Sequence, residues 1–188
     1  MSLLETKQTK RIFAQYEKAT KEPDEYIKYA INEDNPSEWY IMIHNIAGDN
    51  DEYVEGEFLF RMTLNDNFPY DPPSFIALTP NGLYTIGVVC CISIGEFHKK
   101  DYRTVLGVSG FAKELANGLM NWRHIGSGLN LMKTTEMEKR KYAKQSKEYN
   151  EKNNKKILNM INEQYKKYSK KWDLSKISDD LKKKLNIQ

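Results

Sequence analysis

Phe68-Pro69-Tyr70-Asp71-Pro72-Pro73, Thr79-Pro80-Asn81-Gly82 and Cys90-Cys91-Ile92-Ser93-Ile94 are the stretch on which the reading of this chain turns. The first block, rich in proline and aromatic residues, is turn-rich and leads into a short apolar run, Ser74 to Leu78. Asn81-Gly82 is a turn dipeptide, because both residues tolerate the left-handed backbone. The two cysteines are the only ones in 188 residues. From Pro80 to Tyr102 no clear period emerges, and Gly82, Gly87 and Gly95 punctuate the segment. A stretch this long with little regular structure inside a compact domain is usually functional or mobile. A thiol near a polar amide on such a segment is how a chain presents a nucleophile for acyl transfer.

Working outward, Trp39, Ile41 and Ile43 alternate with Tyr40, Met42 and His44, and Phe58, Phe60, Met62 and Leu64 recur at every second residue. Alternation of this kind is the signature of half-buried strands. With residues 26–32 and 74–78 they make four strands joined by short connections, which predicts an antiparallel meander. Ile12, Tyr16 and Ala19 recur at helical spacing between residues 6 and 21. Val108, Phe111, Leu115 and Leu119 lie on one stripe of a second helix that reads as the core helix. Thr134-Thr135-Glu136 resembles a helix start with an acidic first turn. Beyond it Met137 and Tyr142 are too sparse for a strong stripe, whereas Ile157, Leu158, Ile161, Tyr165 and Tyr168 form a better one. One or two amphipathic helices are expected over residues 135–172, then a weaker segment from Trp172 to Gln188. The fold class is α+β: N-terminal helix, four-stranded antiparallel meander, core helix and C-terminal helices.

The net charge of +3 hides an asymmetry. Residues 136–188 carry 16 Lys and Arg against 8 Asp and Glu, and residues 1–135 carry 13 against 18. The basic part reads as a solvated helical surface or a loosely ordered tail. It lacks the glycines, aromatic motif and zinc ligands of a nucleic-acid module, so no nucleic-acid partner is expected. Two adjacent cysteines are not a secreted disulfide framework, which favours a reducing, cytoplasmic compartment. No apolar run is long enough to span a membrane. His44 and His124 have no ligand companions, so no metal site is expected. His98 reads as either a proton shuttle or an exposed loop histidine.

In order and motif, residues 6–150 resemble the ubiquitin-conjugating enzyme family. Lys10-Arg11 resembles the family's basic start, and Tyr53-Val54-Glu55-Gly56-Glu57-Phe58 its Tyr-x-Gly-Gly-x-Phe strand. Phe68 to Pro73 resembles its Tyr-Pro-Phe-x-Pro-Pro element. Thr79-Pro80-Asn81 stands where most members have His-Pro-Asn, and Cys91-Ile92-Ser93-Ile94 where most have Cys-Leu-Asp-Ile. The ten-residue gap from Asn81 to Cys91, the Phe97-His98 that follows, and Lys139-Arg140-Lys141-Tyr142-Ala143-Lys144-Gln145-Ser146 are similar to the tail-anchored members of the endoplasmic reticulum. The chain departs from the family's loop after the cysteine, with Tyr102 for its Trp and Thr104-Val105 for its Pro-Ala.

The resemblance implies a catalytic domain over residues 6–150 and a basic amphipathic helical extension over 151–188. It implies Cys91 as nucleophile, with Cys90 packed inward, Asn81 as oxyanion donor or turn residue, and Ser93 where most members carry an acid that orients lysine. Lys10 and Arg11 would meet an activating enzyme, and Tyr70, Thr104 and Val105 a ligase. Ubiquitin or a ubiquitin-like protein would be the carried group, on lysine or on serine and threonine, with no cofactor of the chain's own. The site of action would be the cytoplasm, or the cytosolic face of the endoplasmic reticulum were a membrane tail to follow. The rival readings are a non-catalytic ubiquitin-binding adaptor on the same fold and a conjugating enzyme for another modifier.

Overall fold

Four strands build the sheet: β1 (Ile27–Ile31), β2 (Glu38–His44), β3 (Glu57–Thr63) and β4 (Ser74–Ala77), antiparallel and in chain order. The structure is a computed structural model and describes residues 3–21, 24–46, 51–89, 91–92, 94–95, 98–126 and 128–169. Cys90, Ser93, Phe97 and residues 170–188, with the expected Trp172 segment, lie outside the described residues. The meander is therefore as the alternation predicts.

Register decides which side chains share a face. Tyr29 pairs with Ile41, Ile41 with Phe60, and Phe60 with Ala77, while Trp39 pairs with Met62 and Met62 with Phe75. These residues lie on one face and are buried with Ile12 and Ala19 of α1 (Leu3–Lys21) and Val108, Phe111, Leu115 and Leu119 of α2 (Gly107–Met120). The stripes read from the sequence are the buried ones.

The other face of the sheet is also covered. Ala30, Met42 and Leu59 pack against Leu158 and Ile161 of α4 (Lys155–Ser169). Alternation alone gives no reason to bury Met42 and Leu59. The amphipathic stripe of α4 supplies it. The boundary expected after residue 150 falls inside α3 (Glu136–Asn153), and α4 returns to the same sheet.

Thr135 caps α3 by accepting from the Glu138 N–H, while Glu138 Oε2 accepts from the Thr135 N–H at 2.7 Å, a full capping box. The face that α3 buries is polar at three of its four positions: Lys139, Ala143, Ser146 and Asn150 recur at spacings of four, three and four. Ser146 Oγ accepts from the Glu57 N–H at 2.8 Å. Asn150 Nδ2 donates to the Glu57 carbonyl at 2.7 Å, and Asn150 Oδ1 accepts from Thr79 Oγ1 at 2.5 Å. These hydrogen bonds offset the cost of burying polar groups. They also explain why the helix shows so weak an apolar stripe.

Candidate active site

The Thr79–Tyr84 turn is organised by one side chain. Asn81 is 0% exposed. Its Oδ1 accepts from the N–H groups of Leu83 at 2.9 Å and Tyr84 at 2.7 Å. Its Nδ2 donates to the carbonyls of Thr79 at 3.0 Å and Tyr84 at 3.4 Å. Tyr53 Oη donates to the Asn81 carbonyl at 2.8 Å. Both ends of the amide are thus engaged in the turn, so donation to an oxyanion requires Nδ2 to release one of these carbonyls. Gly82 follows at φ +74°, where a side chain would be strained, and its carbonyl accepts from Thr134 Oγ1 at 2.5 Å. Thr79 and Gly82 are therefore held by the docked α3 and the residues just before it.

Lys139 of α3 completes that clamp. Its Nζ donates to the carbonyl and the hydroxyl of Thr134, both at 2.7 Å, and lies 4.0 Å from the centre of the Trp122 ring. Burial pushes its pKa down. Beside it, the buried carboxylate of Glu52 accepts from Arg123 at 2.8 Å, Trp122 Nε1 at 3.3 Å and Arg140 at 3.4 Å. Burial of Glu52 favours its neutral form. The Trp122 bond, its own backbone N–H and Arg123 outweigh this and hold the carboxyl below the ordinary range.

A depressed folded pKa contributes stability above the unfolded value, and that contribution is lost as pH falls through the folded one. Glu52→Gln is expected to cost about 2 kcal/mol at pH 7, roughly 4–8 °C in Tm. The gap to the parent should close in melts taken at successively lower pH, below the carboxylate range. A pH-independent gap would leave the ion cluster without a role in stability.

Cys91 follows the turn on the loop between β4 and α2, half-buried and free. Its Sγ lies 3.5 Å from Nε2 of His98, within hydrogen-bond reach for sulfur, and the imidazole tautomer decides which group donates. Beside the thiol is an open groove of about 370 Å³, lined by Tyr84, Ile92, Glu114, Asn117, Asn121 and His124. Sequence left His98 open between two roles. Only the loop's fold brings it to the sulfur. Among the described residues no three His, Cys, Asp or Glu side chains form a metal-sized group, and no helix is long and apolar enough to cross a membrane.

Of the residues expected to bind partners, Arg11 and Tyr70 lie together. Tyr70 is 64% exposed, and the Arg11 guanidinium stands 6.0 Å from its ring centre. Tyr102 Oη donates to the Pro69 carbonyl at 2.6 Å, and Lys99 pairs with Asp71 at 3.6 Å. These contacts tie the loop after Cys91 to the proline-rich block. Thr104 and Val105 form an exposed helical turn on that loop, with Val105 76% exposed, and Lys10 is exposed on α1.

An N-terminal helix, a four-stranded meander, a loop-borne thiol and a core helix make a class of protein: the chain has the ubiquitin-conjugating-enzyme fold and is a relative of the enzymes of that family. It is 29% identical over 142 residues to ubiquitin-conjugating enzyme E2 6 of Eremothecium gossypii, covering 75% of this chain and 56% of that protein. It is 30% identical over 148 residues to the Candida glabrata E2 6, covering 77% and 57%. With human ubiquitin-conjugating enzyme E2 J2 it shares 27% over 146 residues, covering 77% and 54%. The chain thus spans little more than half the length of these relatives. No family model matches it.

Proposed function

We propose that this chain is a ubiquitin-conjugating enzyme that carries ubiquitin or a ubiquitin-like protein on Cys91. The activating enzyme delivers the modifier's C-terminal acyl group. The Cys91 thiolate attacks its carbonyl, the activating enzyme's thiol leaves, and a new thioester forms. An acceptor amine or hydroxyl then attacks the same carbon, and Cys91 leaves as thiolate. The observation that carries this reading is Cys91 paired with His98 beside an open groove. Asn81 acts by fixing the turn beside the thiol, and as an oxyanion donor where Nδ2 releases a turn carbonyl. Arg11, Lys10 and Tyr70 form the docking end for the activating enzyme and the ligase, joined by Thr104 and Val105. The resemblance supports work in the cytoplasm, or at the cytosolic face of the endoplasmic reticulum were a membrane tail to follow.

The test is incubation of the chain with ATP, an activating enzyme and each modifier in turn. A thiol-reducible gain of one modifier mass, read by intact mass spectrometry, supports the reading. No adduct with any modifier ends it.

The acceptor class follows from the sequence after the cysteine and from His98. By resemblance, Ser93 replaces the acid that orients lysine in most members. His98 offers an imidazole able to take a proton from a hydroxyl. Discharge to free serine as well as free lysine is expected. His98→Gln should slow serine discharge by about 10²-fold, the low end of general-base contributions, and lysine discharge by less. Pulse-chase discharge assays decide this, and lysine-only transfer by the parent chain would end the hydroxyl assignment.

A further inference from the structure

The loop between α2 and α3 passes beside the thiol, and it does so with a glycine. A Cβ built on Gly128 would stand 3.5 Å from Cys91 Sγ and 2.9 Å from Leu131 Cδ1. Gly128 is exposed, and the space a side chain would take there lies against the sulfur and Leu131. The Leu131 contact is with the far end of a flexible side chain, which can turn away. The absence of a side chain here leaves space beside the sulfur.

The loop is fixed in place. The N–H groups of Thr85 and Met132 donate to the carbonyls of Asn130 and Leu83, at 3.0 and 2.7 Å. Asn130 Nδ2 donates to the Val89 carbonyl at 3.1 Å. These bonds tie residues 128–132 to the segment that leads to Cys91, so a side chain added at 128 cannot swing clear by moving the whole loop.

We propose that Gly128 is a specificity-determining residue of the Cys91 site: its missing side chain keeps one flank of the sulfur open for bulky acyl and acceptor groups. The inference rests on Cys91 being the nucleophile. In transfer the bond from Sγ to the acyl carbon breaks and a bond from that carbon to the acceptor nitrogen or oxygen forms. The acceptor's proton passes to His98 or water, and the sulfur keeps the bonding pair as thiolate. At the tetrahedral stage the acyl carbon carries the modifier's chain, an oxyanion and an acceptor attached to a protein. A free sulfur tolerates a methyl group at 3.5 Å. A sulfur bearing that crowded carbon loses a sector of approach to it.

Gly126 supplies a matched control. It lies two residues away on the same loop, lines the groove that holds Cys91, and a Cβ there would meet nothing within 4 Å. Gly126→Ala, Gly128→Ala and Gly128→Val are compared with the parent as full chains, with Tm recorded for each. Alkylation at Cys91 by iodoacetamide and by the bulkier N-phenylmaleimide is followed by peptide mass spectrometry, which separates Cys91 from Cys90.

Gly128→Val should slow the maleimide by about tenfold and iodoacetamide much less, as expected for mispositioned approach. Gly128→Ala should fall between, and Gly126→Ala should match the parent in alkylation, the one readout for which it serves as control. Thioester discharge should slow from the parent through Gly128→Ala to Gly128→Val, more for a protein acceptor than for free amino acids. Unchanged maleimide rates in Gly128→Val, or equal effects of Gly126→Ala and Gly128→Ala, overturn the proposal. Graded alkylation in a chain that no modifier loads overturns the conjugating-enzyme reading and leaves Gly128 as a steric gate on the thiol.

Discussion

Cys91→Ala should abolish modifier loading, and Cys91→Ser should replace a reducible adduct with one that resists DTT. The argument is one of nucleophilicity. A cysteine thiolate is intrinsically a strong nucleophile. A serine hydroxyl at the same place is almost wholly protonated, so its acylation should be slower by at least about 10³-fold. Once formed, its oxyester has no thiolate leaving group and survives a thiol. His98 at 3.5 Å from Sγ is placed to take the hydroxyl's proton as well, which makes slow oxyester formation the expected outcome rather than none. Non-reducing gels and intact masses with and without DTT read the result. A DTT-sensitive adduct on Cys91→Ser would move the nucleophile to Cys90, one residue back.

The half of the sheet that packs on α1 and α2 was legible because its residues alternate without exception: Trp39, Ile41, Ile43 and Phe58, Phe60, Met62. The docking of α3 was not legible. Ser146, Asn150 and Lys139 are residues that ordinarily face water, and nothing in their spacing says that Glu57's backbone, Thr79's hydroxyl and Thr134 wait for them. A hydropathy pattern sees apolar matter and is blind to hydrogen-bond complementarity between distant segments. The same limit applies at the site. Motif order picked out Cys91 and Asn81, but the closed ring of bonds around Asn81 depends on a turn whose backbone only the fold defines. His98 lies seven residues from Cys91, two turns of a helix, but no named helix or strand joins them, so no periodic pattern in the sequence pairs the two.

The basic C-terminal half reads from its charge as a solvated surface or a loose tail, yet α4 should prove necessary for the fold. Gln164 alone makes three hydrogen bonds to two residues. Its Oε1 accepts from the Ile31 N–H at 2.9 Å and from Tyr16 Oη at 2.9 Å, and its Nε2 donates to the Ile31 carbonyl at 2.8 Å. Tyr168 Oη accepts from the Tyr29 N–H at 3.0 Å. Side chains of α4 thus occupy the outer edge of β1 as a neighbouring strand would, and an edge so occupied is closed to pairing with other chains.

Removing α4 by stopping the chain after Asn153 uncovers Ala30, Met42 and Leu59 and frees that edge. Burial of Leu158, Ile161 and Tyr168 is worth roughly 1.5–3 kcal/mol each, and the bonds of Gln164 and Tyr168 about 1 kcal/mol apiece. That total is of the order of the whole stability of a domain, about 5–15 kcal/mol. The truncated chain should therefore unfold below ordinary temperatures or associate through β1. Ile161→Ala, in the full chain, should cost about 2–4 kcal/mol and lower Tm by roughly 4–16 °C. Gln164→Leu should cost more than Gln164→Ala, because leucine keeps water out while leaving Ile31 unpaired and alanine lets water in. A truncated chain that melts with the parent would return α4 to the role of a solvated appendage. Equal melting of the two Gln164 variants would mean that the β1 edge is wet.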